Sequence, residues 1–223
     1  MTRILIIGHG RMGRLLEQHA AAHQCAVAGI VDVGGSIASA APFDVAIDFS
    51  VAGAVVGNAQ AVAERGANLV IGTTGWQDRE AAVRSVAEHA GIGVLASANF
   101  SLGLNAFLLV AAEAARRFGP IANYGAWIHE AHHDQKKDAP SGTALVLKQA
   151  VTDAGYPRTI DVSSTRAGSI PGTHTIGFDG PSDTVTLTHT VRDRAVFAHG
   201  ALDAAVWLQG RKGWFGMADV LKG

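Results

Sequence analysis

The sequence predicts an α/β fold: a Rossmann-like, doubly wound parallel sheet joined to an α+β domain whose sheet is mostly antiparallel or mixed. Three observations predict it. Over residues 1–100, short β-branched and aliphatic runs alternate with alanine-rich helical patterns, the βαβα order of a parallel sheet. Those strand runs are apolar throughout, as strands covered on both faces must be. Beyond residue 100 the strand-like segments alternate apolar and polar residues, the pattern of an antiparallel sheet with one wet face.

The elements follow in order. RILII is the first strand and RLLEQHAAAH the first helix; AVAGIVD and VAIDFS are the next two strands. AVVGNAQAVAERG, REAAVRSVAEHAG and the strands NLVIGTT and GVLAS complete the first domain, residues 1–100. From Ser101 a longer helix, LGLNAFLLVAAEAARRF, stops at Gly119-Pro120, where glycine suits a C-terminal cap and proline cannot continue the helix. YGAWIHEAH then reads as a strand, Pro140 to Val151 as a helix, and TIDVSSTR, HTIGF and TVTLTHTV as strands of a second domain, residues 101–200. TVTLTHTV is suited to pairing at a sheet edge. ALDAAVWLQG is amphipathic, with Leu202, Val206 and Leu208 near one side, so residues 201–223 are expected to pack back onto the first domain.

Composition narrows the function. The chain has 223 residues, 48% hydrophobic and 17% charged, with a formal net charge of −1, so no excess positive charge drives it to nucleic acid or an anionic membrane. Small molecules are the expected partners. The single cysteine, Cys25, excludes an internal disulfide and reads as a small packed residue. MTRILIIGHG is too brief for a secretory h-region, and no segment approaches the roughly 20 apolar residues of a membrane span, which points to the cytoplasm.

The first motif is GHGRMG. Gly8, Gly10 and Gly13 have the GxGxxG spacing directly after an apolar strand and at the start of a helix, where a tight turn and free amides receive a pyrophosphate. Asp32 ends the second strand, where an acidic side chain accepts hydrogen bonds from adenosine ribose hydroxyls. It would repel a 2′-phosphate, and Val33 supplies no compensating cation, so NADH is expected over NADPH. The competing reading is a tight turn that binds no nucleotide. GTTG (Gly72, Thr73, Thr74, Gly75) and ANFS (Ala98, Asn99, Phe100, Ser101) also follow strands and would border the same crevice, toward the nicotinamide end.

The second motif is EAHHDQKKDAPSGT. His132, His133 and Lys136 sit between a strand and a helix in a segment too polar for core. Glu130, His132, His133 and Asp134 could be read as metal ligands, but adjacent histidines on an extended chain point to opposite sides and nearby lysines repel a cation, so no metal is expected. A solvated charged loop is the bland alternative. Against it, Ser141, Gly142 and Thr143 open a helix after Pro140, and free amides at such a start form a seat for a carboxylate or phosphate. Imidazole, ammonium and anion seat together describe an acidic substrate that is positioned and given a proton.

The blocks IHEAHHDQKKDAPSGTAL, GHGRMGR, GTTG and ANFSLGLN, with RAGSIPGTHTIGF and WFGMADVL, resemble the 4-hydroxy-tetrahydrodipicolinate reductase (dihydrodipicolinate reductase) family over nearly the whole chain. The resemblance implies a Rossmann domain, a tetramerising substrate domain, and reduction of a cyclic dicarboxylate by NADH or NADPH in diaminopimelate and lysine biosynthesis. It matches His132 to the proton donor or acceptor, Lys136 to its partner, and His133, Gly142 and Thr143 to substrate-binding positions. Gly8, Arg11, Met12, Asp32, Gly72, Thr73, Thr74, Ser97, Ala98, Asn99 and Phe100 match cofactor positions. Three departures stand out: many members carry one more residue in the glycine loop, many have arginine where this chain has Val33, and VGGSIASAAPF is a short connection.

Two rivals come from other classes. A semialdehyde dehydrogenase would need a nucleophilic cysteine at the strand-to-helix cleft, and Cys25 is misplaced for that. A non-catalytic nicotinamide sensor would bind nucleotide without turnover. His174, His189 and His199 read as structural, with His174 the first exception to examine because it follows the Pro171-Gly172 turn.

Overall fold

The computed structural model describes residues 1–222. It divides into two compact units, Met1–Leu102 together with the segment from Ala195, and Gly103–Arg194.

Unit 1 carries strands β1 (Thr2–Ile7), β2 (Cys25–Val31), β3 (Val45–Asp48), β4 (Asn68–Ile71) and β5 (Gly93–Ala96), with helices α1 (Arg11–His19), α2 (Val55–Glu64) and α3 (Glu80–Ala90). Helix α4 (Leu102–Phe118) leads into unit 2, which holds β6 (Gly125–His132), α5 (Gly142–Asp153), β7 (Ile160–Arg166), β8 (Thr173–Asp179) and β9 (Thr184–Thr190). The chain then completes unit 1 with α6 (Ala195–Leu208), β10 (Gly213–Phe215) and α7 (Met217–Val220).

The first sheet has the order β10-β5-β4-β3-β1-β2, every pair parallel. Alternate side chains of its apolar strands feed two cores. Ile4 and Ile6 meet α1 and α6 through Leu16, Ala201, Leu202 and Leu208, while Leu5 and Ile7 share a cluster with Val55 and Val62 of α2 and Val83 of α3. The strand order reverses at β1 and β3, so the carboxyl ends of these strands form the switch point at which such sheets bind ligands. The β2–β3 connection contains no helix, as its brevity implied.

One expectation needs correction, the start of the C-terminal helix, and one alternative is decided, the mixed form of the second sheet. The C-terminal helix begins at Ala195, ahead of the expected Ala201, because Ala195, Ala198 and Gly200 are all buried and extend the packed face backward. In the second sheet, order β7-β6-β8-β9, the TIDVSSTR strand runs parallel to β6, because α5 carries the chain across between them; only β6–β8 and β8–β9 are antiparallel. The sheet is therefore mixed. Its covered face meets Leu104 and Phe107 of α4 and Leu147 and Val151 of α5, and β9 is an edge strand.

Candidate active site

Two groups of predicted residues assemble, one in each unit. In unit 1, Gly8 takes a positive φ of +90°, and a Cβ there would lie 2.5 Å from the Phe49 carbonyl oxygen, so the turn demands glycine. Gly8, Gly10, Asp32, Val33, Phe49 and Ser50 line a cavity of about 410 Å³ at the ends of β1, β2 and β3. Among the described residues, no lysine or arginine lines it. Arg11 is exposed and Met12 half-buried at the start of α1, while Gly13 is buried.

Gly72, Thr73 and Thr74 follow β4, and Ser97, Ala98, Asn99 and Phe100 follow β5, on the carboxyl side of the same sheet. Two of these side chains serve the scaffold. Thr73 is 6% exposed; its hydroxyl donates to Asp48 Oδ1 at 2.8 Å and accepts from the Ser50 amide at 2.8 Å. Phe100 is 2% exposed within the core, so its reading as a cofactor residue is confined to its backbone. Sequence reasoning missed Asp48, which is fully buried and whose carboxylate also accepts from the Ser50 amide and from Asn58 Nδ2, at 2.8 and 2.9 Å. A charged residue closing an apolar parallel strand, VAID, was its signal.

In unit 2 the second motif is more deeply set than its polarity suggested. His132 ends β6, the strand read from YGAWIHEAH, and is buried, as is Glu130, because the pleat gives the inner face to Ala126, Ile128, Glu130 and His132 in turn. His132 Nδ1 hydrogen-bonds Glu130. The Glu130 carboxylate also accepts from Arg166 Nη2 and Nη1, at 2.7 and 3.0 Å, and from the Ser141 amide at 3.1 Å. Burial opposes its charge, yet the donors led by Arg166 outweigh burial and hold its pKa down at about 2. Burial pulls His132 below the usual imidazole value, with Lys136 and Arg166 adding to it and Glu130 opposing.

His174 lies opposite Glu130 in the β6–β8 register, its ring edge-on to His132 with centroids 5.1 Å apart, and its Nε2 is 3.1 Å from Ser141 Oγ. Burial, reinforced by His132, pushes its pKa down to about 4. Ser141 is 1% exposed and caps α5 by accepting from the Ala144 amide, while its own amide, expected in the anion seat, donates to Glu130. Pro140 precedes that cap and lies outside the helix. Gly142 is exposed and Thr143 half-buried at the helix start; His133, just past the strand, is half-buried.

Lys136 is paired with Asp138, its Nζ at 2.7 and 2.9 Å from the two carboxylate oxygens. The Gly142 amide also donates to Asp138, and these contacts, Lys136 foremost, hold that carboxyl below the usual range. One set of potential metal donors occurs among the described residues, Glu130, His132 and His174, with ligand atoms within 4.8 Å of one another. Both Glu130 oxygens already receive Arg166, whose charge disfavours a second cation there. Cys25 is buried and its thiol is pushed up to about 11 by burial and then by Asp203, the opposite of an activated nucleophile. Among the described residues no helix is long and apolar enough to cross a membrane.

The chain matches the family model for the dihydrodipicolinate reductase N-terminus over residues 2–100 and the model for its C-terminus over residues 103–221. The 4-hydroxy-tetrahydrodipicolinate reductase of Methanosarcina barkeri is 42% identical over 80% of this chain and 73% of that protein. Its counterpart in Methanoregula boonei is 36% identical over 99% of this chain and 98% of that protein. Among solved structures, the dipicolinate-bound dihydrodipicolinate reductase from Paenisporosarcina sp. TG-14 superposes with a TM-score of 0.84 at 22% identity, covering 98% of this chain and 99% of that one, a likeness of fold.

Proposed function

The chain belongs to the dihydrodipicolinate reductase family, and from that premise we propose that it reduces 4-hydroxy-tetrahydrodipicolinate to tetrahydrodipicolinate with a nicotinamide nucleotide. The step consumes one hydride and one proton and releases the ring hydroxyl as water. The reading is carried by one conjunction in unit 2: a buried imidazole, an ammonium and a helix start at Gly142, all within residues 132–143.

The proposed roles follow from chemistry. His132 and Lys136 assist proton transfer, and Lys136 with the Gly142 and Thr143 amides receives the substrate carboxylates, with His133 beside them. The nucleotide lies over Gly8, Gly10, Arg11, Met12 and Gly13, with its ribose on Asp32 and its nicotinamide end toward Gly72–Thr74 and Ser97–Phe100. NADH is the preferred donor, a reading supported by Asp32 and by the lack of a lysine or arginine lining that cavity among the described residues. Hydride transfer needs donor and acceptor carbons in contact, so nucleotide and dicarboxylate react only once brought together with water excluded.

The active form is a homotetramer, supported by family resemblance and by the threonine-rich edge strand β9. It works in the cytoplasm, a setting that suits a single unpaired cysteine. The testing assay follows NADH absorbance while the condensation product of pyruvate and aspartate semialdehyde is generated in place. Consumption dependent on that product supports the reading; a flat trace with NADH bound favours a nucleotide sensor.

A further inference from the structure

We propose that Glu130 is a positioning residue for this reaction: backed by Arg166, it fixes the proton of neutral His132 on Nδ1 and leaves Nε2 as the working nitrogen. The inference rests on His132 being the proton-transfer group.

Strand periodicity puts Glu130 and His132 on the same face of β6, two residues apart, so the carboxylate reaches its own strand's imidazole. Glu130 is fully buried, and a buried carboxylate persists only where donors satisfy it. It has them in Arg166, which binds both oxygens, in the Ser141 amide and in the Ser164 hydroxyl. An ionised carboxylate only accepts, so the nitrogen facing it must be the donor, and that nitrogen is Nδ1. Free imidazole in water favours the opposite tautomer. The protein therefore imposes this one, by the orienting logic of carboxylate–histidine pairs elsewhere.

Arg166 alone would have the opposite effect. It is the direct partner of His132 in the β6–β7 register, and its guanidinium would disfavour the imidazolium. Glu130 offsets that cation. The remaining charged and titratable neighbours of His132 are His174 from β8 and Lys136, itself held by Asp138. The other nitrogen is kept clear by the backbone: a Cβ at Gly172, where φ is +140°, would stand 3.1 Å from Nε2.

The test reads the proton's position directly. Nitrogen-15 shifts of the His132 ring in the full-length wild-type protein, above its titration, are expected to report a proton on Nδ1; a proton on Nε2 overturns the proposal whatever any variant does. Glu130→Gln is expected to populate the other tautomer, lower kcat by about 10²-fold with the KM for NADH within about twofold, and shift downward the pH above which turnover falls. Arg166→Gln is expected to shift that pH upward. Shifts in the same direction, or loss of melting temperature with an unmoved profile, would assign the pair to architecture alone. Because the ring shifts need no substrate, they stand or fall separately from the NADH assay.

Discussion

The Lys136 ammonium grips both carboxylate oxygens of Asp138, at 2.7 and 2.9 Å, and the Gly142 amide joins it on the same group. The chain's own carboxylate thus occupies the two donors expected to take a carboxylate of the substrate. Asp138→Ala should release them, tightening pyridine-2,6-dicarboxylate binding by up to about fivefold, the reach of an exposed ion pair worth ~0.2–1 kcal/mol. Calorimetric titration reads this. Weaker binding would mean that Asp138 instead holds Lys136 in its working position.

His132→Gln and Lys136→Ala should each lower kcat by about 10²- to 10⁴-fold, the usual contribution of a proton-transfer group. NADH affinity, followed by its fluorescence on binding, should stay within about twofold. Equal loss of that affinity in both variants would contradict their assignment to substrate chemistry.

Val33 is fully exposed beside Asp32. Val33→Arg should raise the NADPH-to-NADH ratio of kcat/KM by about tenfold, since a charge-assisted hydrogen bond to a 2′-phosphate is worth about 1.5 kcal/mol. Initial rates with the two nucleotides decide it.

Asp48→Ala should destabilise unit 1 by about 3 kcal/mol, because it strands the Ser50, Thr73 and Asn58 donors now bonded to a buried carboxylate. The thermal midpoint should fall, and the KM for NADH should rise while that for the dicarboxylate does not. Unchanged NADH kinetics in a folded variant would remove Asp48 from the support of the Thr73 loop.

The buried histidine of β8 sets an acid limit. His174 has its pKa pushed down to about 4 in the fold, against about 6.5 when unfolded. Above the unfolded value neither state binds the proton and stability is intact; as pH falls toward 4 the unfolded chain alone takes it up, and stability is lost. The loss should reach roughly 2–3 kcal/mol, with His132 and His189 adding in the same direction. Melting curves from pH 7.5 to 4.5 should flatten measurably in His174→Gln; equal slopes would refute the assignment.

The glycine turn after β1 was legible because its physics is local. Gly8 needs positive φ, and Asp32 stands where an apolar strand ends. The buried Glu130–His132 network was only half legible. His132 and Lys136 stood out by composition, and the strand ending at His132 was readable, but not that the pleat of β6 buries Glu130 and His132 in line with Ala126 and Ile128. Arg166 and His174 join them through β-strand register, which links residues more than 30 positions apart. Asp48 escaped notice for a similar reason, since Thr73 and Asn58 come from different elements. Ser141 was read as part of an anion seat through its amide, but that amide meets Glu130 across 11 positions of sequence and its hydroxyl caps α5.

Unit 1 closes only when α6 and β10 arrive from beyond residue 194. Until then one side of its sheet lacks Ala201, Leu202 and Leu208, and β5 has an unpaired edge. During synthesis unit 1 must therefore wait, its apolar face open, while the ribosome makes the whole intervening unit. A nonsense codon anywhere before the tail would leave not a weaker reductase but an open apolar face and an unpaired strand edge, both prone to aggregate.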